Sequence, residues 1–213
     1  MPGYSLLIGR TASNPAFAKA ESDFELGYSS DWVPLGWLAL FEPRDVQLVD
    51  EPPESETYDP EQRQSCPTLI KRRDAALKTL RRRVIRLSNL LPASLQHHLR
   101  ALEAAVAGAP QPHVQVLLTD LDEFVSYPGS EKHLRDFVSA LDGEDVKKWR
   151  ALLSHVNGDV GKDLRDVALP RDFEEPALVG YLHATTLARE ATQQEARQKP
   201  AAVKAKKPWW KFW

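Results

Sequence analysis

Leu69-Ile70-Lys71-Arg72-Arg73-Asp74-Ala75-Ala76-Leu77-Lys78-Thr79-Leu80-Arg81-Arg82-Arg83-Val84-Ile85-Arg86-Leu87-Ser88-Asn89-Leu90-Leu91 is where the period of this chain changes. Ile70, Leu77, Leu80, Val84, Leu87 and Leu91 keep a helical spacing and project within roughly an 80° sector at 100° per residue. The pattern predicts a helix from Leu69 to Leu91, stopped by Pro92, which cannot continue the hydrogen-bond ladder. Lys71, Lys78, Arg81, Arg82 and Arg86 fall on the opposite side. Arg73 sits inside the apolar stripe, and a carboxylate partner is needed if it is buried. Downstream, Ser94 is a suitable N-cap for a second helix carrying Leu95, Leu99, Leu102 and Val106, closed by Gly108-Ala109-Pro110. The two read as an αα-hairpin.

Before this stretch the signals are those of strands. Tyr4 to Ile8 is a short apolar run closed by Gly9. Ala16 to Tyr28 is mixed and fits either a helix or an ordered loop. Trp32-Val33-Pro34-Leu35-Gly36-Trp37-Leu38-Ala39-Leu40-Phe41 is the most apolar segment, and its aromatics with internal Pro and Gly predict a buried strand. Val46 to Val49 predicts another. After the hairpin, alternation of Val114, Val116 and Leu118 predicts a strand over His113–Thr119. Three helices are then expected: from Ser130 to Gly143, from Glu144 or Asp145 to Asn157-Gly158, and from about Glu175 to Ala191 with Tyr181 and Leu182 on its apolar side.

Strands first and helices later is the order of an α+β fold, with a small N-terminal β-sheet packed against a mainly helical C-terminal part. The division is one domain over residues 1–191, strand-rich over 1–60 and mainly helical over 61–191, followed by a flexible Lys/Trp-rich tail over 192–213. The length of 213 residues suits one domain that buries roughly 70% of its unfolded surface without a disulfide or structural metal. Cys66 is the single cysteine, which fits a reducing compartment. The first residues lack the basic start and apolar core of a signal peptide, and no apolar run nears the roughly 20 residues of a membrane span. The expected location is the cytoplasm.

The net charge of −2 hides a segregation: residues 1–60 hold 3 basic and 11 acidic side chains, whereas residues 61–100 hold 10 basic and 2 acidic. Much of this charge is expected to pair within the fold. Segregated charge also steers charged partners. Residues 42–61 carry eight acids and four prolines, the composition of an irregular acidic loop. Its carboxylates, Asp45, Asp50, Glu51, Glu54, Glu56 and Asp59, form the expected partner-binding surface, suited to a basic protein such as a nuclease.

Catalytic patterns are weak. Adjacent His97 and His98 point about 100° apart on a helix and cannot chelate one ion together. Asp120, Asp122 and Glu123 gather after a strand, where they suit either a cation or the first turn of a helix. No metal site, no cofactor and no enzymatic activity is expected. The basic helix over residues 71–86 lacks interleaved aromatics, which reads against nucleic acid and for a solvated or internally paired face. Half of the six tryptophans lie in the last five residues. Trp209, Trp210, Phe212 and Trp213, among lysines, suit weak contact with an anionic membrane surface or a partner's groove. A cytoplasmic adaptor peripheral to the inner membrane is therefore the alternative reading.

The opening Tyr4-Ser5-Leu6-Leu7-Ile8, the core Pro34-Leu35-Gly36-Trp37-Leu38-Ala39-Leu40-Phe41 and the acidic loop after it resemble bacterial immunity proteins encoded beside polymorphic or secretion-delivered toxins. The resemblance covers roughly residues 4–50. It implies a mixed strand-and-helix protein without catalytic residues that neutralises a cognate protein toxin by stoichiometric binding.

Overall fold

Alternation over Tyr4–Arg10 sends Ser5, Leu7 and Gly9 to one face and Leu6, Ile8 and Arg10 to the other, and this segment is strand β1 at the heart of the sheet. The computed structural model describes residues 4–30, 33–54, 61, 64–90, 96–119, 129–143 and 180–182. Its sheet has six antiparallel strands, β1 (Tyr4–Arg10), β2 (Phe24–Ser30), β3 (Val46–Asp50), β4 (Ser65–Arg72), β5 (His113–Leu117) and β6 (Tyr181–Leu182), in the order β3-β4-β5-β1-β2-β6. The helices are a single turn α1 (Leu35–Leu38), α2 (Arg73–Leu90), α3 (Gln96–Gly108) and α4 (Ser130–Ala140). The fold is α+β, as the sequence predicts. The sheet is not confined to the N-terminal third, however, because β5 and β6 come from later parts of the chain.

Register explains the core. Leu7 and Leu69 both lie opposite Val116, so the three side chains share one face, together with Val46 opposite Leu69. These join Leu80, Leu99, Leu102, Leu134 and Val138 from the helices in one apolar cluster. The other face carries Ile8, Ile70 and between them the fully buried Gln115. The Gln115 amide donates to Thr68 Oγ1 at 2.9 Å and to the Ala16 carbonyl at 2.8 Å, while its oxygen accepts from Ala16 N–H at 3.3 Å. One side chain thereby staples the β1–β2 connection onto the sheet, its polar groups satisfied as burial demands. Asp23 closes that connection, accepting from Arg10 at 2.8 Å and from the Ala20 amide at 3.0 Å.

Four expectations are corrected. The helix begins at Arg73 rather than Leu69, because Ser65–Arg72 is β4. Ile70 fits a helical stripe by coincidence of spacing, and its pairing with Gln115 overrides the local signal. Residues 33–41 are buried throughout, yet they form no strand. Pro34 cannot donate to a ladder, and its carbonyl instead accepts from Trp37 at 3.0 Å and Leu38 at 3.3 Å, opening the α1 turn. In the Ala16–Tyr28 segment, Phe24 onward is strand β2, whose alternation is blurred by a register shift opposite Leu7 and Ile8. Finally, Tyr181 and Leu182, expected on a helix, form β6 beside Gly27 and Tyr28. Gly180 adopts φ +63° at the entry to β6, a backbone conformation that favours glycine.

The strand over Val46, α3, β5 and α4 agree with the sequence reading. The expected helix from Glu144, the Ser94 cap, the acids Asp120, Asp122 and Glu123, and the tail with Trp209, Trp210, Phe212 and Trp213 lie outside the described residues, as do Glu56 and Asp59. No helix among the described residues is long and apolar enough to cross a membrane.

Candidate functional site

The charged residues of α2 do not form one solvated face. Arg83 lies three positions after Leu80 and is 1 % exposed, among the largest fully buried side chains of the core. Its guanidinium grips Asp142 through both oxygens, Nε to Oδ1 at 3.0 Å and Nη2 to Oδ2 at 2.5 Å. It also donates to the carbonyls of Leu38 (3.3 Å), Ala39 (3.4 Å) and Phe41 beyond the α1 turn, and to Val138 (3.3 Å) near the end of α4. Carbonyls at helix ends lack intrahelical partners and carry partial negative charge, so a buried cation is well placed there. Arg83 joins α2, α4 and the buried Leu35–Phe41 segment at one point.

Around it lies a second layer of charge. Glu42 Oε2 accepts from Lys71 at 2.9 Å and Arg44 at 2.7 Å, and its Oε1 from Arg82 at 3.4 Å. Lys71, whose side chain is 7 % exposed, also pairs with Asp45 at 2.8 Å and reaches Thr79 at 3.1 Å. Asp45 further accepts from the Glu42 amide at 2.6 Å. Arg82 links Glu42 to Asp142 (3.1 Å), and Arg86 donates to the Asp142 backbone carbonyl. The hydrogen bond from Lys71 is the main cause that holds the Glu42 carboxyl at about 2 against its ordinary 4.5; burial opposes it, and Arg44 adds to the lowering. The bidentate bond from Arg83 likewise lowers Asp142, against a smaller opposing effect of burial. Both carboxylates stay ionised through the neutral range.

Glu42, Pro43, Arg44, Arg82, Arg83, Arg86 and Asp142 line a cleft of about 600 Å³ between the start of β3 and the outer side of α2. The expected charge pairing between the acidic N-terminal and basic central blocks is visible here, in Glu42 and Asp45 against Lys71 and Arg82. Arg73 finds Asp74 at 3.3 Å and the Ala109 carbonyl. The arginine that the core needs is Arg83, and sequence reasoning overlooked it. The available signal was its place three residues after Leu80 and seven after Ala76, which puts it beside the apolar stripe.

The six acids expected at the partner surface separate. Asp45 is engaged by Lys71, and Glu51 is 3 % exposed. Asp50, at the end of outer strand β3, and Glu54 are exposed. Cys66 is a buried thiol that donates to the Pro67 carbonyl at 3.5 Å. His97 and His98 have their rings in contact, centroids 3.6 Å apart, and no group of metal-ligating side chains occurs among the described residues. No protein-family model, curated protein or solved structure matches the chain.

Proposed function

We propose that the chain is a non-catalytic binding protein of the immunity type, which neutralises a cognate protein toxin in the cytoplasm by stoichiometric association. The observation that carries this reading is the outer edge of the sheet. Strand β3 stands last in the strand order, with Leu48 50 % exposed, Gln47 and Asp50 exposed, and the exposed Glu54 just beyond it. An outer strand offers backbone donors and acceptors to an incoming extended segment. Leu48 supplies an apolar anchor, and Asp50 and Glu54 favour a basic partner and speed its approach. Asp45 and Glu51 support this edge from within rather than touching the partner. Glu56 and Asp59 follow in sequence and extend the acidic run.

The test is co-expression with the protein encoded beside its own gene, followed by size-exclusion chromatography with light scattering. A 1:1 complex is expected, and Leu48→Asp combined with Asp50→Asn and Glu54→Gln weakens it by about 100-fold, the loss of an anchor and two steering charges. Retention of the complex by this variant at unchanged affinity removes the β3 edge as the binding surface. Failure to protect cells from the toxin removes the function.

A further inference from the structure

The arginine-lined cleft lies on α2 and the Glu42–Arg44 turn, and its chemistry is independent of the toxin-binding reading. Among the described residues its cluster contains five cations, Lys71, Arg44, Arg82, Arg83 and Arg86, against three carboxylates, Glu42, Asp45 and Asp142. The balance is two positive charges.

Those charges are not spread evenly. Arg83 and Lys71 are buried and spent on carboxylates and carbonyls. The Arg44 and Arg82 side chains are 80 % and 57 % exposed, and Arg86 is exposed as well. Among the described residues, Arg44 bonds to Glu42, Arg82 to Glu42 and Asp142, and Arg86 to the Asp142 carbonyl. Each guanidinium has five N–H donors, so all three retain donors beyond these contacts. Glu42 and Asp142 already accept from three and two cations, respectively, through their side chains. These bonds orient the guanidinium groups around the cleft.

We propose that this cleft is a binding site for the phosphoryl group of a small phosphomonoester. A dianion matches the excess of two positive charges, where a single carboxylate neutralises half of it. Guanidinium groups recognise phosphate oxygens through paired, charge-assisted hydrogen bonds. The volume of about 600 Å³ exceeds the needs of a bare ion and falls within the range of small-molecule sites. Among the described residues the lining is charged except for Pro43, which favours a polar body for the ligand.

Isothermal titration of the full chain with ribose 5-phosphate, inorganic phosphate and ribose tests this. Saturable 1:1 binding of ribose 5-phosphate, with none of ribose, is expected. Comparable affinity for inorganic phosphate identifies the phosphoryl group as the whole determinant; weaker affinity shows that the body contributes. Arg82→Gln with Arg86→Gln is expected to lower affinity by about tenfold or more. Arg81→Gln, on the same helix but paired with Glu103 outside the cleft, leaves it within about twofold. Thermal midpoints of the variants confirm that they fold. Absence of saturable binding by ribose 5-phosphate up to about 10 mM, which is too weak for a specific site, overturns the proposal. Equal loss in the Arg81 and Arg82/Arg86 variants does so too.

Discussion

Arg83 shows how one side chain reaches beyond its helix. Its cation sits in the core because Asp142 and four carbonyls replace the water it leaves. Removing it takes a charged donor from each of those carbonyls and the bidentate grip from Asp142, to which Arg82 still donates at 3.1 Å. Arg83→Met is therefore expected to lower stability by about 3–5 kcal/mol, read from urea denaturation. Arg83→Lys recovers little, since an ammonium cannot span both Asp142 oxygens and the carbonyls together. A loss below about 1 kcal/mol for Arg83→Met would contradict this role. Glu42 makes the pH dependence concrete. Its folded pKa of about 2 lies below its ordinary 4.5, so its contribution is present above pH 4.5 and lost as pH falls towards 2. The expected magnitude is on the order of 2 kcal/mol, because Arg44 and Arg82 remain open to solvent. In acid titrations of stability, Glu42→Gln is expected to give a shallower slope than the native chain between pH 4.5 and 2. Parallel slopes would show that the Lys71 pair adds nothing.

At the scale of elements, two buried segments depend on backbone shape. The Leu35–Phe41 segment brings Trp37, 0 % exposed, into the core from a helical turn. Trp37→Ala is expected to cost about 3–5 kcal/mol through lost burial and the cavity left behind, again by denaturation. Strand β6 depends on Gly180. A Cβ there would stand 2.6 Å from the Trp37 ring and 2.8 Å from the Tyr28 carbonyl, in a left-handed conformation. Gly180→Ala is expected to lift β6 away from β2 and break the Tyr28–Tyr181 stack, whose centroids are 5.1 Å apart. Amide exchange over Gly27–Ser29 reports this directly; protection at native levels would mean that β6 tolerates the added methyl group. The legibility of elements follows the same physics. Helices α3 and α4 carry uninterrupted 3.6-residue patterns with clear ends, so they are readable locally. In β2 the register shift spoils alternation, and in β4 Cys66–Ile70 are buried without alternation while Ile70 falls in step with the helical spacing that follows. Their strand identity comes from neighbours that are distant in sequence.

Across the whole molecule, opposite charge is divided between internal clasps and exposed edges. The Arg83 guanidinium is buried, whereas Asp50 and Glu54 are exposed. Raising ionic strength to about 0.5 M shortens the screening distance to a few ångströms. The association rate of a basic partner with the β3 edge is then expected to fall by about tenfold or more while the unfolding midpoint changes little. Stopped-flow mixing at several salt concentrations separates the two; a salt-independent rate would argue against steering by this edge. Composition and periodicity by themselves determined the α+β class, α3, α4, the strand at Val46, the burial of residues 33–41 and the imbalance between acidic and basic blocks. These are properties of neighbouring residues, set by side-chain polarity and by the repeat of strand and helix. Only the tertiary structure decided that β5 lies between β4 and β1, that Leu35–Leu38 turns as a helix, that Tyr181 and Leu182 pair with β2, and that Arg83 is the buried cation. The sheet order, the pairing of β6 with β2 and the burial of Arg83 depend on partners 40 or more positions away, such as Asp142 for Arg83 at a separation of 59. Hydrogen bonds across such distances exist only after the layers have packed, and no local pattern encodes which donor will meet which acceptor.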